Sequence, residues 1–512
     1  MNNKNTLPVS SLVLCYAMLA LFVSNASLTS IGAPFIVQDL GGDRTISIYP
    51  IAFFNFGIVI TVPLAKPLFA RLGLYRTLFL ALFLFAITNI LTGLMPTFFL
   101  VNLFRFLSGL GVGPSFALVN QAVYLLVPSE KRSLTSWIYS TVLISAPILG
   151  GIWGGLDAYL YHWQFPFFVD GVVGLFLMGW LTLRKGDLEL PYHPDPRFDW
   201  VGWWFYAFSI FALTFICTTC QQLDYYRSET LLACFFLGVP TFLYFLLRCR
   251  VSSFPVYNLR LFSTPLFSLA AIALVLFFTI YYGTLLLLNI WITFDVQFTP
   301  NWIAGLLSIM FIAALFPHVI ITDWIFRFDP RFLLLFSTLI LTWVCFFTST
   351  FWHEIDIGRI FYARLLAGIG FALSLPTIIQ LLMRSLPEEN RIDAQEFYQG
   401  LRHFASGLGA ALFSVTWQRR SIFYHERLNE WLNLQNSNVQ VFFQRMKIAK
   451  VPGDRFAELN TYLDNQSWTL ALEDVFFLMG WIMVGLLLLI LWTFLRPREK
   501  FDLREVQKKL DR

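Results

Sequence analysis

"FRFLSGLGVG" occupies residues 104–113, and "ARLLAGIGFA" occupies residues 363–372. Each sets an arginine at the head of a glycine-rich apolar run. A second pair, "VPSEKRS" at 127–133 and "LPEENRI" at 386–392, keeps the same separation: 259 residues divide Arg105 from Arg364, and Pro128 from Pro387. One likeness is within reach of composition alone. Two at a common offset mark an internal repeat. The surroundings of both copies are apolar. The 512 residues are 57% hydrophobic and 13% charged, with a mean hydropathy of +0.66. A soluble domain carries about 25% charged residues, whereas a membrane helix needs about 20 mostly apolar residues in a row.

Breaks at charged or Pro/Gly-rich patches predict fourteen helices, at about 10–36, 46–69, 77–95, 97–126, 134–160, 165–184, 200–222, 229–249, 264–290, 300–324, 331–351, 358–384, 391–417 and 471–495. The fold class is therefore an all-α polytopic membrane protein. The repeat sets helix 4 opposite helix 12. A six-helix half (1–190), two inserted helices (191–255) and a second six-helix half (256–495) account for that spacing. A long outer loop at 418–470 lies within the second half, and a basic tail follows at 496–512. Short loops assigned to the outside hold only Arg44, Arg227 and Arg359, while Lys and Arg crowd the opposite loops and the tail. By the positive-inside rule both termini are cytoplasmic. Parallel six-helix halves are a transporter architecture, with the substrate site between them near the midplane.

Ser145–Gly174 reads "SAPILGGIWGGLDAYLYHWQFPFFVDGVVG". Pro147 removes a backbone donor inside helix 5. Gly150, Gly151, Gly154 and Gly155 form two small-xxx-small pairs, which let helices approach closely in lipid. A fixed tight contact and a contact that rocks during transport both fit. The stretch resembles the antiporter motif of the fourteen-helix drug:proton antiporters, the QacA/EmrB-like branch of the major facilitator superfamily. That motif reads Gly-Pro-x-Leu-Gly-Gly, then Trp-Arg-Trp-x-Phe and Asn-x-Pro-x-Gly. Pro147, Leu149, Gly150, Gly151, Trp163, Phe167 and Gly174 match. "NLFRFLSGLGVGPSFAL" resembles the helix-4 motif, with Arg105 at its arginine. "GLRHFASGLGAAL" resembles the helix-13 segment, with Arg402 at its arginine, and "LALEDVFFLMGW" resembles the start of the last helix. The resemblance spans nearly the whole chain. It implies the major facilitator fold and proton-driven export of a small molecule or drug across the cytoplasmic (inner) membrane. It also implies, in some Gram-negative members, a periplasmic adaptor protein.

Departures bear on the coupling. The family places an Asp in helix 1 that is linked to protons. Aligned on Pro34, this chain has Asn25 there, and Asp170 stands where the family has Asn. The helix 2–3 motif reads "KPLFARLGLYR", keeping Arg71 and Gly73 but placing Lys66 for Gly and Ala70 for Asp. Asp170 is expected to supply part of the missing protonatable function, with Glu396 next in line.

An ionisable group at mid-membrane costs about 2.5–3.5 kcal/mol on insertion scales, so each is a functional candidate. Arg105 and Arg402 fall deep, as functional charges or hydrogen-bond anchors. Arg364 repeats Arg105. Asp157 and Asp474, near helix ends, read as solvated, and His318 and His403 read as packing residues. The 56 phenylalanines read mostly as lipid-facing. The 418–470 loop, with Ile422, Phe423, Leu428, Trp431 and Leu432 among polar residues, predicts amphipathic helix lying on the outer surface. No cofactor, metal, nucleic-acid partner or enzymatic centre is expected. The partners are lipid, substrate and protons. A dedicated metabolite or siderophore exporter with altered coupling, and a non-transporting receptor or scaffold, are the alternatives.

Overall fold

Apolar chain in hydrocarbon satisfies its backbone as α-helix, and the computed structural model is helical in every regular element among its described residues. Those are residues 9–495, apart from 43, 128–131, 189–196, 326–328, 385–390, 431, 433–434 and 446–451. The tail beyond Leu495 lies outside them. The helices are α1 (Val9–Ala26), α2 (Thr29–Leu40), α3 (Tyr49–Thr61), α4 (Ala65–Leu94), α5 (Phe98–Leu126), α6 (Arg132–Leu160), α7 (Phe165–Leu183) and α8 (Trp200–Thr219). They continue as α9 (Glu229–Val251), α10 (Pro265–Phe294), α11 (Pro300–Ile325), α12 (Pro330–Thr348), α13 (Ile357–Arg384), α14 (Arg391–Glu430), α15 (Ser437–Arg445) and α16 (Pro452–Leu495).

Three differences from the expected pattern have local causes. The first expected helix divides into α1 and α2, joined by a tight turn in which Ser27 N–H donates to the Ser24 carbonyl at 3.0 Å and Ser30 N–H to that of Ser27 at 2.9 Å. The second and third meet inside α4 at Gly73, whose φ of +79° suits a residue without a Cβ. The third difference is length. α14 runs 40 residues and α16 runs 44, about 60 and 66 Å at 1.5 Å per residue, twice the hydrocarbon thickness. The polar 418–470 region is therefore largely an extension of these two helices rather than a helix lying flat. Its apolar residues face one another: Val439, Leu459 and Leu463 form a small core with Leu428, Leu432, Phe442 and Phe443 against it.

α1–α7 pack into one bundle, through α3 on α5, α5 on α4, α4 on α7 and α1 on α6. α10–α14 and α16 form a second, through α10 on α14, α11 on α13, α13 on α12 and α14 on α16. α8 and α9 lie against each other, with α8 on α3 and α14. The repeat recurs in the packing. A Cβ on Gly109 of α5 would strike the Phe54 carbonyl of α3, and one on Gly368 of α13 the Met310 carbonyl of α11. The bundles meet along α6–α11 and α3–α14, with α2 on α10. Among the described residues, eleven stretches are long and apolar enough to cross a membrane. Burial sorts them: 83% of the apolar window of α10 is enclosed but only 17% of that of α9. α9 leaves Phe236, Leu237 and Leu247 exposed, a surface suited to lipid.

Candidate functional site

Three polar assemblies lie inside this apolar frame. The first is within the α1–α7 bundle. Arg105, fully buried on α5, donates from Nε to the Pro50 carbonyl at 3.1 Å and from Nη2 to the Asn25 carbonyl at 2.9 Å. Its Nη1 donates to Asn25 Oδ1. The Asn25 amide then donates to Asp170 Oδ2 on α7 at 2.7 Å and to Asn89 Oδ1 on α4 at 2.9 Å. Asn89 completes the chain by donating to Ser108 Oγ at 3.1 Å and to the Phe85 carbonyl at 2.9 Å. The guanidinium also lies 4.4 Å from the Phe54 ring centre and 5.7 Å from that of Phe167. Asn25 and Asp170, two of the positions at which the chain departs from the family pattern, are thus direct hydrogen-bond partners.

The second assembly joins the bundles. Arg402 on α14 sets Nη2 at 2.6 Å from His403 Nε2, and His403 Nδ1 lies 2.8 Å from Asn55 Oδ1 on α3. The Asn55 amide nitrogen is engaged with the Ile51 carbonyl at 2.9 Å, so its oxygen faces the ring. Nδ1 must then be the donor and Nε2 the acceptor, which is the neutral imidazole. Beside it, Tyr139 of α6 takes hydrogen bonds from Gln395, at 3.3 Å, and from Gln399 of α14. Two ion pairs cap the same interface. Arg44 meets Asp295, just past the end of α10, at 2.7 Å. Lys66 meets Asp393 at the start of α14 at 3.3 Å. These mark opposite ends of the molecule, the Arg44 face and the Lys66 face. The Asp295 carboxyl is pushed up to about 7 by burial, with Arg44 opposing the shift. The Lys66 pair is the more exposed of the two. It borders a cavity of about 400 Å³ lined by Arg250, Tyr257, Arg260, Asp393 and Glu396 as well. Glu396 is buried there, and its Oε1 has no hydrogen-bond partner among the described residues.

The third assembly repeats the first in part. Arg364 of α13 donates from Nη2 to Asn289 Oδ1 of α10 at 2.6 Å. Among the described residues no acceptor serves its Nε or Nη1, and none serves the Asn289 amide nitrogen.

Several expectations change. Asp157, expected in water, is 6% exposed, and its Oδ2 has no hydrogen-bond partner among the described residues. Asp474 is partly exposed but engaged, accepting from Tyr424 at 2.8 Å and pairing with Arg420. Gly150 and Gly154 bring α6 onto the α1–α2 turn of its own bundle: a Cβ would strike the carbonyls of Ser24 and Leu28. Gly155 packs on Ile31. Gly151 packs on Ser30, with Leu307 of α11 also in range. Pro147 lies within the same helix. The side chain of His318 lies outside the described residues. Sequence reading missed Asn55, Asn89, Asn289, Tyr139 and the two capping ion pairs. The asparagines carried a usable signal, as amides inside otherwise apolar helices. The ion pairs carried none, because their partners are hundreds of residues apart.

The sequence profile of the Major Facilitator Superfamily matches residues 12–414. The chain is 24% identical over 93% of its length to the fatty acid resistance protein FarB of Neisseria gonorrhoeae, covering 94% of that protein. It is also 24% identical to the multidrug export protein EmrB of Escherichia coli strain K12, over 92% of this chain and 91% of that one. A bacterial homolog of the human lysosomal transporter Spinster, solved inward-facing and occupied, superposes with a TM-score of 0.62 at 12% identity, over 95% of this chain and 97% of that one. The profile extends from α1 into α14, across both arginine–asparagine assemblies, and the chain belongs to the Major Facilitator Superfamily as a multi-pass membrane transporter rather than an enzyme.

Proposed function

We propose that the chain is a secondary exporter that moves an amphiphilic small molecule out across the cytoplasmic membrane in exchange for protons, by alternating access. The observation that carries this reading is the bond from Asn25 to Asp170. The acid that the resembled family sets on its first helix stands here one hydrogen bond away, on α7. When Asp170 is charged it balances the buried Arg105 charge through Asn25. When it takes a proton the guanidinium keeps only neutral partners. Proton occupancy therefore changes the charge balance inside one bundle, and each charge state favours a different arrangement against its neighbour. Glu396, at the cavity on the Lys66 face, is the second carboxyl along the path, and Arg402 with His403 ties the moving faces together. FarB and EmrB are named for fatty acid resistance and multidrug export, and an amphiphilic substrate suits both names.

Fourteen crossings belong to this reading. The stretch 46–94 bends at Gly73 and counts as two, Pro300–Leu315 is apolar but short, and α14 crosses despite its charges. Both termini are then cytoplasmic, the Lys66 face is inner, and the Arg44 face is outer. The repeat divides the chain into 1–190, the insertion 191–255 and 256–495, and the α14–α16 extension stands outside, where an adaptor protein would dock. The test is purified protein in liposomes under an imposed pH gradient, with an amphiphilic dye as cargo. Cargo should discharge the gradient as it moves. Cargo movement indifferent to the gradient, or none at all, contradicts the reading.

A further inference from the structure

Arg364 is 1% exposed and Asn289 is 1% exposed, and one hydrogen bond joins them. That leaves the N–H groups of Nε and Nη1, and the Asn289 amide, without acceptors. Two turns back on α10, about 12 Å at helical rise, the Tyr281 hydroxyl is also buried and has no partner among the described residues. Among the described residues no carboxylate pairs with Arg364. Buried guanidinium groups are normally satisfied on all sides, because each unmet donor carries its full desolvation penalty. In the first bundle the penalty is met from inside: the last helix, α7, brings Asp170 to the asparagine. In the second bundle the last helix, α16, brings Phe476, Met479 and Met483 to its buried face. The repeat thus keeps the arginine and the asparagine but omits the anion.

We propose that Arg364 and Asn289 form the headgroup site for the carboxylate of an exported amphiphile. The proposal rests on the exporter reading above and names its substrate class. A carboxylate offers about four lone-pair sites on two oxygens, enough to engage Nε, Nη1 and the Asn289 amide together. It is also a small organic anion, suited to a place with little open room. Phe371 lies 4.5 Å from Tyr281 and 5.1 Å from Phe277 between ring centres, an apolar wall for the start of a chain. Asp295, paired with Arg44, stands six residues beyond Asn289, just past the end of α10 and about 9 Å away at helical rise.

The experiment is equilibrium binding to the full chain in nanodiscs, with no gradient, using dodecanoate and dodecyltrimethylammonium as probes. Wild type should prefer dodecanoate. Arg364→Gln should weaken dodecanoate at least tenfold and leave the cation unchanged. Asn289→Asp supplies a built-in carboxylate to Arg364. It should abolish dodecanoate binding while raising the thermal midpoint, which guards against a variant that merely misfolds. Dodecanoate bound with wild-type affinity by Asn289→Asp, or both probes lost in equal measure by Arg364→Gln, overturns the proposal. Because no gradient is applied, intact selective binding beside failed gradient-driven transport would strike the exporter reading and leave this site standing.

Discussion

Arg105 on α5 and Arg364 on α13 stand 259 residues apart, each buried, and each reaches the amide oxygen of an asparagine on a long helix of its own bundle. Arg105 has three further supports: two backbone carbonyls and, through Asn25, the Asp170 carboxylate. Arg364 has none of these, and two of its nitrogens lack acceptors. One scaffold thus carries a closed network and an open one. On the reading proposed above, the first holds a proton-exchanging acid in place and the second receives a group from outside the chain.

Removing each arginine separates the two most sharply. Arg105→Met strands two carbonyls, an amide and an acid, and should destabilise the protein by about 3–5 kcal/mol. Arg364→Met removes a charge that is already poorly served, and should stay within about 1 kcal/mol of wild type. Thermal unfolding in nanodiscs reads both, and equal losses would erase the distinction between the networks. The assembly between the bundles gives an intermediate effect. His403→Phe removes a bond to Arg402 and one to Asn55, and should cost about 1–3 kcal/mol and slow transport without blocking insertion. Unchanged transport and midpoint would show that the α3–α14 seam does not depend on this ring.

The smallest effect is expected at the Arg44 face. Asp295 has a carboxyl raised to about 7, so it is charged above that pH and takes up a proton below it. The ion pair with Arg44 is therefore present at pH 8 and weakened at pH 6. Because the closed form holds that proton more tightly than the opened, solvated form, protection of residues 290–299, corrected for intrinsic exchange, should fall severalfold from pH 6 to pH 8 in wild type. In Asp295→Asn it should be the same at both values. A pH-independent wild type would remove this latch from the account.

The helical architecture was largely legible, because long apolar runs with charged breaks admit one solution in lipid. The offset between "FRFLSGLGVG" and "ARLLAGIGFA" was legible for a related reason: both serve the same close helix crossing, at Gly109 and at Gly368. The turn between α1 and α2 was not, since no glycine marks it and Pro34 lies further on. Its reason sits 126 residues away, in Gly150 and Gly154 of α6, which pack on Ser24 and Leu28. The excess length of α14 and α16 was hidden by their polar composition, which reads as loop when helices are sought by apolarity. Arg105, Arg364, Arg402, Asp170 and Glu396 stood out by charge alone. That Asn25 and Asp170 touch, while Arg364 is left open, depends on side-chain directions across three helices, which spacing in one dimension does not encode.

The central claim is that the acid has changed helices within one cluster and kept its role. The direct test compares gradient-driven export, in liposomes, by wild type, Asp170→Asn, and the exchange variant carrying both Asn25→Asp and Asp170→Asn. The account predicts robust export by wild type and at least a tenfold loss in Asp170→Asn with insertion intact. It predicts partial recovery in the exchange variant, where the acid again faces the same amide and Arg105. Full gradient-driven export by Asp170→Asn would contradict it.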